Sequence, residues 1–522
     1  MQLNKISLDD THSFSPFFLD YIEQKKSLSS FFDRYPTYEN FDGQIKEKSA
    51  SFSVANRNML VAALQSQYED ITTSQRVSEN ISLLKNEKTF TITTGHQLNI
   101  FTGPLYFIYK IVTVINTCKN LKTKYPDYDF VPVFWMASED HDYDEIKYFN
   151  LDEKKYVWET SQKGAVGRFN TKGLDALANE LPGDVQIFKE AYSKCKTLSG
   201  AVRYYVNKLF GHEGIIILDA DSQALKMLFR DVMEKDICGQ SYKPIVDATT
   251  AELEQLGYKT QVFCREINFF YLDNDLRSRI EKQGDDYKVV DTDLSFSEAE
   301  IKKLIHESPE KFSPNVILRP VYQETILPNL AYVGGPAEVI YWLQLKGVFD
   351  HIGLPFPILM PRNFGMIMDH ETNRKFSKIG LELKDLFEEK NYLFNHWVLK
   401  HAERNLTVGP ERDEITKIFD HLRERASSLD KSLAPFVAAE AQRAMNSLEK
   451  IERNLIRAEK RLQADKFRQI ENVKDVLFPG GELQERTENF LTFYQQDPHF
   501  IQKLLDHFDP LDFQFNILRY NL

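Results

Sequence analysis

Carboxylates and a histidine are crowded into one short stretch of the chain, Ser138 to Glu145 (SEDHDYDE). Its five carboxylates would repel one another unless they bind a cation, an ammonium group or hydroxyls. Such groups can also take a proton from an attacking amine. The candidate catalytic residues of this stretch are Glu139, Asp140, His141 and Asp142. A metal site that uses His141 and a plain solvated acidic loop are the alternatives, and the sequence leaves both open.

The loop from Gly95 to Pro104 (GHQLNIFTGP) is a second candidate, because it follows a run of β-formers and precedes a helical pattern. We expect Pro104 at the first helical position, with free N–H groups and the helix dipole facing a phosphate or carboxylate. The spacing matches neither a P-loop nor the dinucleotide fingerprint. The candidate binding residues are Gly95, His96, Gln97, Asn99, Thr102, Gly103 and Tyr106. A structural role for His96 fits the sequence equally well.

Lys110 is the fifth candidate catalytic residue. It shares a helical stripe with Tyr106, Thr113 and Thr117, offset from the apolar face. We expect it to point along the sheet edge toward an anion, and a solvated lysine is the alternative.

A third cluster lies in the second half of the chain. Arg319 offers a planar fork that suits a carboxylate or phosphate. A Gly-Gly-Pro sequence then opens another helix, which would again present free N–H groups. The candidate binding residues of this cluster are Arg319, Gln323, Gly334, Gly335 and Glu338.

The elements that must position these residues are those of an α/β fold. Apolar runs predict strands at Thr89–Thr94, Val131–Ala137, Ile215–Leu218 and Pro357–Met360, with helices between them. That alternation predicts a doubly wound parallel sheet. Residues 1–88 have a helical pattern, and the alternating stretch from Asn268 to Thr292 predicts meander strands inserted into the core.

Long helices dominate the chain after about residue 400. Apolar residues from Ala444 to Leu462 are spaced 4, 3, 4, 3, 4, which is a heptad seam. A 4, 4 step then predicts a stutter in one helix from Ala438 to Leu477, about 60 Å long. An earlier seam from Ile415 to Leu429 predicts an antiparallel hairpin. This seam needs a partner helix, from the same chain or from a second subunit.

Composition narrows the class of protein. The 522 residues are ordinary for a globular protein, and the net charge of −12 disfavours a nucleic-acid partner. No signal-peptide pattern and no long apolar run is present, so we expect no membrane partner and a cytoplasmic location. Four widely spaced cysteines predict no metal cluster and agree with a reducing compartment.

Taken together, these motifs resemble the cysteine-adding enzyme family of bacillithiol biosynthesis. The resemblance rests on GHQ with FTGPLY and YK after the first strand, PVFW with EDHD after the second, and, further on, NV, LRP, QE, GGP with Glu338 and YW, PR, FPG and QER. One departure is His96, where many relatives carry glutamine.

The resemblance implies a class I nucleotidyltransferase-like Rossmann core with connective-peptide insertions and a C-terminal coiled coil that forms a homodimer. It implies an enzyme that joins the carboxyl of L-cysteine to the amine of glucosaminyl-malate as an amide, after carboxyl activation. It adds Arg362 to the binding residues. Arg319 would neutralise the malate carboxylates, and the acidic stretch would hold the ammonium of cysteine. The cofactor considered is ATP or ADP, and no metal is predicted.

The resulting domain division is a core over residues 1–400 and a helical coiled-coil domain over residues 401–522. The core includes a helical lead-in (1–88) and inserted subdomains at about 150–200 and 240–312. Two other functions stay open at this point: a Rossmann-type nucleotidyltransferase or synthetase relative with another amino acid or an RNA substrate, and a non-catalytic coiled-coil scaffold.

Overall fold

The computed structural model describes residues 1–69, 71–152, 154–401 and 406–520, which form a mixed α/β protein. Its strands are β1 (Gln2–Ile6), β2 (Thr89–His96), β3 (Asp129–Met136), β4 (Tyr148–Leu151), β5 (Lys154–Val157), β6 (Ile216–Asp219), β7 (Phe269–Asp273), β8 (Leu276–Gln283), β9 (Asp286–Val289), β10 (Ser295–Ser297), β11 (Phe312–Pro314), β12 (Asn329–Gly334), β13 (Ile358–Pro361), β14 (Phe364–Met368) and β15 (Phe515–Arg519).

The α-helices are α1 (Pro16–Ile22), α2 (Asn40–Ser51), α3 (Val54–Gln67), α4 (Gln75–Leu83), α5 (Tyr106–Lys124), α6 (Tyr143–Ile146), α7 (Leu174–Glu180), α8 (Gln186–Lys194), α9 (Leu198–Phe210), α10 (Gln223–Lys226), α11 (Arg230–Ile237), α12 (Lys243–Gln255), α13 (Glu298–Glu307), α14 (Arg319–Ile326), α15 (Pro336–Leu343), α16 (Lys346–Ile352), α17 (His370–Ile379), α18 (Lys390–His401), α19 (Gly409–Leu429), α20 (Ala434–Leu462), α21 (Ala464–Leu477), α22 (Gln484–Thr487), α23 (Leu491–Tyr494) and α24 (Phe500–His507).

A five-stranded parallel sheet lies at the centre, in the order β13-β12-β2-β3-β6. The chain winds outward from β2 through β3 to β6, then returns to the other side of β2 for β12 and β13. This reversal makes the gap between the carboxyl ends of β2 and β12 a topological switch point, where open α/β sheets place their ligands. The predicted doubly wound sheet is confirmed, and β12 is a strand that sequence reasoning missed.

The alternating side chains of β3 show why the sheet is buried on both faces. Val133 and Trp135 belong to the core cluster that includes α3, whereas Phe134 and Met136 pack in a second cluster with α5 and α9. Strands buried on both faces have nearly continuous apolar sequences, as β3 does. The fold therefore has three layers, with helices on each face of the sheet.

Three smaller sheets surround this core. The predicted meander is part of a five-stranded antiparallel sheet, β10-β9-β8-β7-β11, which we call the inserted sheet. Strands β4 and β5 form a hairpin. Strand β1 pairs with β15, which in turn pairs with β14, so the two ends of the chain meet. The expectation that residues 1–88 are helical was wrong for β1, whose edge position needs little apolar signal.

The C-terminal helices form the predicted antiparallel hairpin, with α19 packed along α20 in the same chain. The prediction of one helix from Ala438 to Leu477 was wrong, because α20 ends at Leu462 and α21 begins at Ala464. The break falls next to the stutter in the heptad pattern. Buried Phe467 and Ile470 of α21 pack in the main core, which includes α17, whereas α20 faces α19, so the two segments follow different partners. None of the described helices is long and apolar enough to cross a membrane.

Candidate active site

The two glycine-containing loops that follow β2 and β12 meet at the switch point. Lys110 on α5 donates to the carbonyl of Gly95, at 2.8 Å, and forms an ion pair of 2.5 Å with Glu338 on α15. Glu338 also accepts from the N–H of Gly335 and the hydroxyl of Tyr332, each at 2.7 Å. One carboxylate therefore ties both loops together.

Lys110 corrects the sequence-based expectation about its environment. It is buried and paired with Glu338, so it is neither a solvated lysine nor a free cation that points along the sheet edge. Burial opposes the charge on Glu338, but Lys110 and the two hydrogen-bond donors outweigh it and lower the pKa of Glu338 to about 2. Glu338 is thus ionised, whereas burial lowers the pKa of Lys110 against the opposing effect of Glu338.

The helix starts also differ from the expectation of free N–H groups. Helix α5 begins at Tyr106 instead of Pro104, and the N–H of Leu105 donates to the carbonyl of Glu488 at 2.7 Å. At the start of α15, the N–H of Gly335 is taken by Glu338. These two N–H groups are therefore not free to bind an anion.

A cavity of about 320 Å³ opens at the switch point. The predicted residues that line it are Gly95, His96, Gln97, Tyr106, Lys110, Arg319, Gly335, Glu338 and Arg362. Sequence reasoning missed Arg486 and Tyr341, which also line it. Among the charged lining residues, four are cations and one, Glu338, is an anion. We call it the cationic cavity, and its excess positive charge suits a ligand with carboxylates or phosphates.

Arg319 is the least compensated of these cations. Its guanidinium lies 5.5 to 5.9 Å from the ring centres of Trp135, Tyr332 and Trp342. Nη1 donates to Gln323, and the enclosed Nη2 has no hydrogen-bond partner among the residues that the structure describes. Among the described residues, no carboxylate forms an ion pair with Arg319. The residue is half-buried, and an anionic ligand would give its enclosed Nη2 a partner.

Arg362 and Arg486 reach the cavity from its other side. The Arg362 guanidinium is paired with buried Glu485 at 2.6 Å, and in the described part of the chain its Nε has no hydrogen-bond partner. Glu485 also accepts from the N–H of Gly365, so it holds Arg362 against β14. Arg486 is exposed at the mouth. Arg362 is therefore a fixed cation in the cavity wall, and Arg486 is an exposed cation at the entrance.

His96 presents a neutral ring to the cationic cavity. Burial and the nearby Lys110 lower its pKa to about 3. Its Nδ1 lies 3.0 Å from the carbonyl of Gln97, which can only accept, so Nδ1 carries the proton. Nε2 is thus a hydrogen-bond acceptor, which suits a hydroxyl or ammonium group of a ligand.

The acidic stretch after β3 borders a second cavity of about 380 Å³ that shares Trp135, Ala137 and Arg319 with the first. Asp140 lines it, and accepts from the side chain of Gln97 at 3.1 Å. Burial favours the neutral acid, but Arg277 and the hydrogen bonds from Gln97 and the His141 N–H outweigh it and lower the pKa of Asp140. We call this the acidic cavity after its carboxylates Glu139 and Asp140. Arg265, Arg277 and Arg319 also line it, and within it the ionised Asp140 is the group that suits an ammonium group.

Glu139 has a different environment from Asp140. It is buried and forms an ion pair with Lys226, which is itself fully buried and lies 3.6 Å from Asp221. Burial raises the pKa of Glu139 to about 7, against the opposing effect of Lys226. Glu139 therefore lies at the floor of the acidic cavity as part of a buried charge network.

The remaining predicted residues do not line either of the two cavities. His141 and Asp142 are exposed at the rim. Gln323 is buried beneath Arg319 and orients it. Asn99 donates to the carbonyl of Glu145, and Thr102 is buried in the loop. Gly103 has φ +61°, and a Cβ there would lie 2.6 Å from Asn99, so glycine is required for the shape of the loop. Gly334 ends β12.

These features define a Rossmann-like α/β protein with a cationic cavity at the switch point of its sheet, an acidic cavity beside it and a helical hairpin near its C-terminal end.

Models of known protein families match nearly the whole chain and agree with this architecture. The model for "Bacillithiol biosynthesis BshC, N-terminal Rossmann-like domain" matches residues 1–363, and that for the "C-terminal coiled-coil domain" of BshC matches residues 365–520. The chain belongs to the BshC family of bacillithiol biosynthesis.

Full-length relatives share this assignment. A protein of Flavobacterium psychrophilum named "Putative cysteine ligase BshC" is 41% identical, and the match covers 100% of both chains. Proteins with the same name from Cytophaga hutchinsonii and Flavobacterium johnsoniae are each 40% identical, with 99% of this chain covered and 99% and 100% of theirs.

Proposed function

We propose that this protein is a cysteine ligase that joins the carboxyl group of L-cysteine to the amine of glucosaminyl-malate, forming an amide in bacillithiol biosynthesis. The family and the names of its relatives support the proposal. The observation that carries it in the structure is Arg319, a half-buried guanidinium whose enclosed Nη2 has no partner among the described residues and which lines the cationic cavity. The proposed reaction supplies the missing anion as the malate of the substrate.

The malate end of the substrate is assigned to the cationic cavity. Malate brings two carboxylates, and Arg319 offers the planar donor fork that pairs with a carboxylate through two hydrogen bonds. The acceptor Nε2 of His96 suits a sugar hydroxyl.

Cysteine is assigned to the acidic cavity, where its ammonium group would pair with ionised Asp140. The two cavities share the wall formed by Trp135, Ala137 and Arg319. The cysteine carboxyl and the sugar amine would therefore meet beside these three residues, which both cavities have in common. Holding two reactants in such proximity is a major source of rate acceleration.

Activation of the carboxyl is the remaining requirement, and ATP or ADP is the cofactor of the proposal. An amide forms readily only when the carboxyl carries a better leaving group than oxide, which a nucleotide phosphate supplies. Lys110 is neutralised by Glu338, so Arg362 and Arg486 are better suited than Lys110 to contact a phosphate.

A homodimer through the helical hairpin is part of the proposal. Apolar side chains along α19 and α20 stay exposed in the single chain, among them Ile418 (55%), Ile451 (51%), Leu455 (40%) and Leu462 (67%). An apolar seam of this length is covered in a coiled coil by a further helix.

The test is a direct assay of the reaction. Purified protein is incubated with glucosaminyl-malate, L-cysteine and ATP, and the product is followed by mass spectrometry. We expect a product with the mass of both substrates less one water. Parallel reactions without ATP and with L-serine in place of L-cysteine report the activating step and the amino-acid preference. Absence of the amide under all conditions would overturn the proposal.

A further inference from the structure

Arg277 connects the inserted sheet to the acidic stretch, although 136 residues separate it from His141. It lies on β8, and its Nη1 contacts Nδ1 of His141 at 2.6 Å and Oδ1 of Asp140 at 3.7 Å. No motif in the sequence pointed to it. The antiparallel insertion therefore delivers a cation to the loop after the second strand of the core.

The rest of the guanidinium is engaged by the protein. Nε donates to Ser313 Oγ at 3.1 Å and Nη2 to the carbonyl of Pro314 at 3.3 Å, both on β11. The group also stacks on Phe270, with 3.9 Å to the ring centre. The side chain of Arg277 is only 8% exposed. It is thus braced by two strands of the inserted sheet and aimed at the acidic stretch.

This contact determines the tautomer of His141. A guanidinium donates hydrogen bonds and does not accept them, so the Nδ1 that faces it must be unprotonated. The proton of the neutral ring is then on Nε2. The charged groups that face this ring are Arg277 from β8 and Asp140 and Asp142 from its own loop. Partial desolvation of the exposed ring and the charge of Arg277 both lower the pKa of His141, which favours the neutral ring.

We propose that Arg277 is a positioning residue of the ligase, which fixes His141 as an Nε2–H donor and holds Asp140 as the ionised acceptor at the acidic cavity. With Nδ1 facing Arg277 and a proton on Nε2, His141 has no free lone pair, so it is excluded as the general base. The positions of His141 and Asp140 therefore depend on the contact between the inserted sheet and the acidic stretch. The effect on catalysis rests on the proposed function, whereas the tautomer does not.

The first test is nuclear magnetic resonance of the full-length protein with ¹⁵N-labelled histidine. We expect the ¹⁵N signals of His141, assigned with His141→Gln, to show an unprotonated Nδ1 and a protonated Nε2. In Arg277→Gln we expect a tautomer mixture and a higher His141 pKa. Arg279→Gln is the matched control, since Arg279 lies two residues along β8 and pairs with Glu281 at 3.2 Å. Unchanged signals in Arg277→Gln would overturn the proposal.

The second test is the pH profile of the cysteine-adding reaction. We expect Arg277→Gln to lower kcat about 10- to 100-fold, with KM for glucosaminyl-malate nearly unchanged. The acidic limb of the profile should shift to higher pH, because Asp140 loses the cation that lowers its pKa. Arg277→Lys keeps the charge but cannot contact His141, Ser313 and Pro314 at once, so it should be intermediate, and it replaces Arg277→Gln if that variant fails to fold. Wild-type kcat and an unshifted limb in the folded variant overturn the proposal.

The two failures are distinguishable. If the wild-type protein makes no amide but His141 shows the expected tautomer, the proposed function fails and the positioning contact stands. If the wild type is active and Arg277→Gln matches it in both tests, the role of Arg277 fails and the function stands.

Discussion

Buried Lys110 and half-buried Glu338 form an ion pair of 2.5 Å between the two helices that follow neighbouring strands of the central sheet. The pair lies beneath the carbonyl of Gly95 and the N–H of Gly335, so it joins the loops on both sides of the switch point. Its first role is therefore to hold the cationic cavity in shape. The cations left for a ligand are Arg319, Arg362 and Arg486.

Breaking this pair from one side should destabilise the protein. We expect Lys110→Met to lower the free energy of unfolding by about 1–3 kcal/mol, because half-buried Glu338 loses its cation but keeps the hydrogen bonds from Tyr332 and Gly335. The double variant Lys110→Met with Glu338→Gln should recover much of the loss. Urea unfolding monitored by circular dichroism measures both. Equal stability of Lys110→Met and wild type would contradict the role of the pair.

His96 should make the protein sensitive to acid. Its pKa is about 3 in the folded state against 6.5 ordinarily, so below pH 6.5 the unfolded chain binds a proton that the folded chain does not. Above pH 6.5 the ring is neutral in both states, and the free energy of unfolding does not depend on this group. As the pH falls from 6.5 toward 3, the free energy of unfolding decreases by up to about 1.4 kcal/mol per pH unit. Urea unfolding between pH 7 and pH 4.5 should therefore show a smaller loss in His96→Gln than in wild type. A parallel loss in both proteins would refute this assignment.

Arg319 should govern recognition of the malate group. We expect Arg319→Gln to raise KM for glucosaminyl-malate by about 10- to 100-fold, the cost of losing charged hydrogen bonds of about 1.5–3 kcal/mol. Arg319→Lys should recover little of the lost affinity for glucosaminyl-malate, since an ammonium group lacks the planar donor fork of a guanidinium. With glucosamine that lacks malate as acceptor, the variant and the wild type should become similar. The idea fails if the variant is impaired equally with both acceptors.

Asp140 should govern recognition of cysteine. Asp140→Asn keeps the shape of the side chain but removes the charge that would pair with the ammonium group, so we expect KM for cysteine to rise about 10-fold or more. Asp144→Asn is the matched control, because Asp144 is exposed and pairs with Lys147 on the surface. Steady-state kinetics at a fixed concentration of glucosaminyl-malate measure KM for cysteine in both variants. An identical KM for cysteine in both variants would exclude Asp140 from this role.

The hairpin seam should govern the oligomeric state. We expect the double variant Ile451→Glu with Leu455→Glu to convert a dimer into a monomer, since charges in an apolar seam are not tolerated. Asn454→Glu adds a charge on the same helix outside the seam and should leave the dimer intact. Light scattering coupled to size-exclusion chromatography measures the mass. A monomeric wild type would disprove the dimer.

Sequence reasoning found the elements with strong local signals. The apolar runs predicted β2, β3, β6 and β13, because strands buried on both faces need continuous apolar side chains. The heptad seam predicted the hairpin of α19 and α20. Strand β12 was missed because its sequence, NLAYVG, is short and ends in a glycine motif that resembles a helix start. The helix break at Gln463 was missed because it depends on what α20 and α21 pack against.

By itself, the sequence determined which residue types gather after each strand and so where ligand chemistry lies along the chain. It placed Arg319, Glu338 and the acidic stretch in candidate sites, because glycine-rich helix starts and clustered charges are local patterns. Only the tertiary structure decided the partner of each charge. Lys110 is paired with Glu338 and Glu139 with Lys226, whereas Arg319 keeps an unpartnered Nη2. Charge pairing joins residues far apart in the chain, and in a buried site it decides which group remains for a ligand.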